Sequence, residues 1–177
     1  MLRKLVLVCA VLSVSCLSVY SQETSKAEVF GGYQYLRVNS GIQGADSVNL
    51  NGWNAALSGY FTRNLGVTAD FSGNYGTPFG VDTKLYTFMF GPTVRFPNAS
   101  RVTPFAHALF GGGRFSLSGA GLSGSETDFT WAAGGGVDVG VSQHLGVRLA
   151  QADFLQTRVA GNSQNHFRFS AGIVFKF

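Results

Sequence analysis

Charged side chains are scarce in this 177-residue chain: they make up 12% of it, about half the share usual for a soluble domain. A surface so poor in charge is not built to meet water everywhere. Cysteine is almost missing as well. Cys9 and Cys16 are the only two, and both fall in the first turns of sequence. Long apolar runs are also absent beyond the N-terminus, where nothing approaches the roughly 18 to 20 residues that span a bilayer as a helix. What is abundant is glycine (24), phenylalanine (16) and aromatic residues in general (14%). Helices and closed barrels are the two structures that satisfy all their backbone polar groups inside a membrane. With no helix long enough, a barrel is the membrane fold that fits this composition.

The N-terminus reads as a secretory signal. Arg3 and Lys4 form a basic start, Leu5 to Val19 an apolar centre, and Val19-Tyr20-Ser21 places small residues for cleavage before Gln22. Residues 1–21 are therefore expected to be a signal peptide and 22–177 a single domain. A lipid-bearing Cys16 is the alternative, weakened by Ser13 where Leu or Val is usual. Cleavage would remove both cysteines, and with them any disulfide, thiolate nucleophile or cysteine metal site. It would also leave 11 basic and 9 acidic residues, lowering the net charge from +4 to +2. The basic balance of the whole chain is then poor evidence for nucleic-acid binding, and no such partner is expected.

From Glu28 onward the pattern has period two, not 3.6. In the last segment Phe167, Phe169, Ala171, Ile173, Phe175 and Phe177 alternate with Arg168, Ser170, Gly172, Val174 and Lys176. The aromatic set is expected to face lipid and the charged set the lumen. The same polarity runs through Trp53–Phe61, Leu65–Tyr75, Lys84–Phe96 and Phe129–Val141. It puts Asp70, Arg95, Asp138, Arg148, Arg168 and Lys176 inside as a polar network. Two segments resist. Both faces of Val102–Phe115 are largely apolar, so His107 has no clear side. Arg148 and Asp153 lie an odd number of residues apart, so both can point inward only across a bulge.

Short turns near Thr62-Arg63-Asn64, 97–101 and Ser142-Gln143-His144 alternate with long connections at 39–51, 76–82, 117–126 and 158–163. That alternation is the habit of outer-membrane barrels. The 156 residues left after cleavage allow eight strands of roughly 20 residues each with their connections, or ten with little to spare. An all-β, eight-stranded antiparallel up-and-down transmembrane barrel is the expected fold. A soluble lipocalin-like barrel, with its aromatics inside, is the rival.

The chain stops on Phe177. Its last eight residues place Ser170, Gly172, Phe175 and Phe177 as polar-x-Gly-x-x-aromatic-x-aromatic, which resembles the C-terminal signal read by the barrel-assembly machinery. With Phe30-Gly31-Gly32-Tyr33, Pro104-Phe105-Ala106-His107-Ala108 and Phe110-Gly111-Gly112-Gly113, the mature chain resembles the OmpA/OmpX-like outer-membrane β-barrel family. The resemblance implies an outer-membrane location with both termini periplasmic, a monomer, the lipid bilayer and the assembly machinery as partners, and no cofactor. It does not extend to the peptidoglycan-binding domain of full-length OmpA, and that domain's tethering role is not expected here.

Catalysis finds little support. His107, His144 and His166 each lack a Ser two positions on, as lipid-deacylating barrels would have, and are too scattered for a metal site. Asp46-Ser47 looks like an acyltransferase pair but lacks that family's N-terminal amphipathic helix. No catalytic, cofactor or metal residue is expected. The expected role is a non-enzymatic envelope protein whose surface loops have an unidentified partner. An adhesion module, a narrow pore and a lipid-modifying enzyme are the alternatives.

Overall fold

A computed structural model describes residues 26–38, 48–77, 82–97, 100–119, 122–159 and 162–177. The expected signal segment, both cysteines, Asp46-Ser47 and most of the 39–51 connection lie outside them. Eight strands close into one antiparallel barrel in sequence order: β1 Ala27–Val38, β2 Val48–Tyr60, β3 Leu65–Gly76, β4 Asp82–Arg95, β5 Val102–Gly119, β6 Leu122–Gly140, β7 Leu145–Val159 and β8 Asn162–Lys176. Closure is by β1 against β8, from Glu28 opposite Lys176 to Val38 opposite His166. The two ends of the described chain meet there: Lys26 N donates to the Phe177 carbonyl at 2.8 Å and Phe177 N to the Ala27 carbonyl at 2.9 Å.

The walls sort as the alternation predicts. Phe71, Phe88, Phe90, Phe167, Phe169 and Phe175 stand exposed on the outside, while Asp70, Asp138, Arg148 and Arg168 are buried within. A lipocalin is also an eight-stranded up-and-down barrel but would have the aromatics inside, so that rival fails on polarity. β5 is now oriented: Phe105, His107 and Leu109 are buried in the lumen and Phe110 is exposed outside. The bulge that β7 required is present. Arg148 faces Gly172 and Gln151 faces Ser170, so β7 spends three steps where β8 spends two. On the other side Asp138 and Val137 pair with Arg148 and Ala150, skipping Leu149. Leu149 takes up the extra step facing outward, 61% exposed, and Arg148, Gln151 and Asp153 all turn inward.

Two of the expected long loops are corrected. β5 and β6 stay paired through 117–126, to Gly119 opposite Leu122, and β7 and β8 stay paired to Val159 opposite Asn162. Serine, glycine and asparagine in these stretches suggested irregular chain, but a hairpin beyond the bilayer has no apolar face to bury and needs no alternation to pair. Short turns at the opposite end agree with expectation. At Phe61–Asn64, Leu65 N donates to Thr62 Oγ1 at 2.9 Å and Asn64 Nδ2 donates to the Arg95 carbonyl at 2.9 Å.

The lumen is not polar throughout. Toward the loop end Leu36, Leu50, Leu85, Met89, Leu109, Ala132 and Leu155 form a buried apolar cluster, and Phe30, Ala56 and Val174 form a smaller one toward the termini. An eight-stranded barrel is just wide enough for side chains to fill, so its inside packs as a core and tolerates apolar layers above and below a polar one.

Candidate functional site: charge layers in the lumen

The polar layer is organised by Arg168, which is fully buried. Its Nη1 donates to Asp70 Oδ1 at 2.7 Å and its Nε to Asp153 Oδ2 at 2.7 Å. Asp70 belongs to β3 and Asp153 to β7, four strands apart in a ring of eight, so the guanidinium braces opposite walls. Each carboxylate has further donors. Asn54 Nδ2 reaches Asp70 Oδ2 at 2.9 Å, while His107 Nε2 donates to Asp153 Oδ1 at 2.9 Å and Gln151 Nε2 to Asp153 Oδ2 at 2.7 Å. Buried charges are tolerable only with this kind of full pairing.

A second unit lies beside it. Arg148 grips Asp138 with two donors, Nε at 2.8 Å and Nη2 at 3.0 Å, and its Nη1 donates to Gln151 Oε1 at 2.7 Å. The paired donation is the fork geometry that favours arginine over lysine. Its guanidinium also lies between the rings of Phe30 and Phe105, 4.3 and 4.0 Å from their centroids. Gly136 makes room for this, because a Cβ there would come within 2.9 Å of the Phe105 ring. At the terminus end Arg95 Nη1 donates to Glu28 Oε1 at 2.6 Å, Tyr60 OH donates to Glu28 Oε2 at 3.2 Å, and the Arg95 guanidinium covers the Tyr60 ring. Between the units a cavity of about 10 Å³, bounded by Ser58, Asp70, His107, Arg148 and Gln151 among others, has room for about one water.

Five of the six inward charges named from sequence thus enter buried pairs: Asp70, Arg95, Asp138, Arg148 and Arg168. Lys176 differs. It is half-buried at the terminus rim, and among the described residues it makes no ion pair. Sequence reasoning left Glu28, Asn54, His107 and Gln151 out of the network and could place Asp153 only conditionally. Charge balance was the available signal. Four inward cations were matched by two inward acids, and a low-dielectric lumen demands more; Glu28 and Asp153 supply them. Of the terminal motif, Ser170 is buried inward, and Phe175 and Phe177 are exposed outside. Gly172 faces Gly32 across the closing seam, where a Cβ would strike the backbone of Gly31 and Gly32.

Among solved structures the chain is similar to Neisserial surface protein A, with a TM-score of 0.74 and 18% identity over 88% of this chain and 100% of that one. It is also similar to Ail, the attachment invasion locus protein of Yersinia pestis (0.65, 19%, 88% and 100%). The N-terminal barrel of OprF from Pseudomonas aeruginosa gives 0.59 at 10% identity, again over 88% and 100%. At these identities the likeness is one of fold. Comparison with curated protein sequences gives no match. The family model described as outer membrane protein beta-barrel domain matches residues 7–177. Nearly the whole chain is covered, and it belongs to that family of outer-membrane barrels.

Proposed function

We propose that this protein is a non-enzymatic, monomeric envelope component: a sealed barrel that anchors extended surface hairpins, with both termini periplasmic. The observation that carries this is the cross-braced lumen. Side chains from β2, β3, β5, β6, β7 and β8 meet in one hydrogen-bonded layer around Arg168 and Arg148, with apolar packing on either side. Such a lumen favours an anchor over a conduit. His107 and His166 are both buried inside, occupied by Asp153 and Thr157, whereas a lipid substrate would lie against the outer wall. A surface-contact role for the hairpins is favoured by β6, whose residues Leu122 to Phe129 pair with β5 beyond the last β6–β7 pair at Thr130 and Thr157.

Single-channel recording of the purified barrel in planar bilayers tests the sealed lumen. The expected trace is flat at moderate voltage. Reproducible conductance steps of uniform size would overturn the anchor in favour of a pore.

A further inference from the structure

The outer wall carries its own polar cluster, separate from the lumen. On the loop-end half of β1 to β4, the register sets Tyr33 beside Trp53, Trp53 beside Gly73, and Gly73 beside Tyr86. The indole of Trp53 crosses Gly73 and donates from Nε1 to Tyr75 OH at 3.3 Å. Tyr75 and Tyr86 stand edge to face at 5.8 Å. Rings that pair an apolar body with a polar tip sit where acyl chains give way to headgroups.

Cations occur at this level. Lys84 is the register partner of Tyr75 and Arg114 that of Tyr86. Both are exposed on the same outward face of neighbouring strands. They are diagonal neighbours, with backbones about 7–8 Å apart, within reach of one phosphate for side chains of their length. Among the described residues neither makes an ion pair, and Arg114 has only a long bond, 3.5 Å, to Ser125 Oγ. Asp82, the acid nearest on this face, accepts from Thr77 Oγ1. Below the two cations, the described outward residues of β3 to β6 carry no charge until the opposite turns.

We propose that Lys84 and Arg114, with the Tyr75–Tyr86 pair beside them, form a binding site for the phosphate of an outer-leaflet glycolipid headgroup. The tyrosine rings would seat the sugar-proximal part of the lipid and the cations its phosphate. The proposal rests on the outward placement of the loop end in the function proposed above.

The test is native mass spectrometry of the detergent-solubilised full barrel titrated with bisphosphorylated lipid A or its dephosphorylated form. Wild type should retain the bisphosphorylated lipid preferentially. K84Q/R114Q should weaken retention about 30-fold, taking the usual contribution of a basic residue near an anionic surface for each. R63Q/R101Q, which removes equal charge at the opposite turns, should leave it intact. Equal loss in both double variants, equal retention of both lipids, or binding of inorganic phosphate with the same affinity as the lipid would each overturn the site. Heat-modifiable gel mobility and protease accessibility of the long hairpins on whole cells, measured on the same variants, report folding and orientation independently. Those would fail if the envelope role were wrong, and not if only this site were.

Discussion

Replacing Arg168 with methionine removes the lumen's central cation while keeping most of its volume, so the loss that follows is electrostatic and not a cavity. In the native barrel the guanidinium holds Asp70 and Asp153 at 2.7 Å each. Without it two carboxylates on opposite walls remain buried. Asp70 keeps Asn54, and Asp153 keeps His107 and Gln151, which are donors but not a permanent counter-charge. Breaking a buried pair costs about 3–5 kcal/mol, mostly through the charge left behind. R168M should therefore lower unfolding stability by about 4 kcal/mol. At the urea sensitivity of small proteins this moves the midpoint down by roughly 2 M. Trp53 and Trp131, both on the outer wall, report the transition by fluorescence in phospholipid vesicles. The decisive comparison is R168M/D70N/D153N, which removes the stranded charges together with their partner. It should recover a substantial part of the loss. A single variant within about 0.5 M of wild type, or a triple variant less stable than the single one, would refute the view that Arg168 is a brace whose removal strands charge.

Two other perturbations probe the wall and its assembly. Deleting Leu149 shortens the separation of Arg148 and Asp153 from five residues to four and makes β7 match the two steps of β8, so strict alternation then turns Arg148, Gln151 and Asp153 inward without a bulge. No charge is turned toward lipid and no partner is lost, so a heat-modifiable barrel should still form, and failure of the deletion variant to fold would sink the parity reading of the bulge. F177A keeps the backbone bonds that Phe177 makes to Lys26 and Ala27 and removes only its ring. Its yield in isolated outer membranes should drop severalfold while refolding into detergent in vitro stays unchanged, and an unaltered membrane yield would mean that the terminal aromatic is not read during assembly.

How much of this was legible in the sequence follows from which constraint each residue obeys. Strand polarity was plain wherever one face meets hydrocarbon and the other holds charge, as in β8, because Arg168 and Phe169 cannot exchange sides. β5 hid its orientation for the same reason in reverse. Phe105 and Leu109 belong to packed layers inside, Phe110 belongs to the lipid face, and hydrophobicity alone cannot distinguish two apolar surroundings. The extended hairpins were missed because period two marks a strand between unlike environments, and a ribbon in water on both faces has none.

The network shows what parity adds once its exceptions are taken seriously. Arg148 and Asp153 sat at odd separation, which a regular strand forbids to two inward charges, and the chain resolves the conflict with one outward leucine. Taking up that residue in a bulge lets β7 contribute Arg148, Gln151 and Asp153 to one layer. Arg168 can then span to Asp70 because Asp153 is already in place on its near side, and Arg148 is held between Asp138 and Gln151. With this sequence held in strict alternation Arg148 and Asp153 would face opposite sides, and either Asp138 would lose its arginine or Arg168 one of its two acids. The irregularity in β7 is thus the condition on which the cross-brace depends at the spacing this sequence gives Arg148 and Asp153, because it is what restores both to the same face.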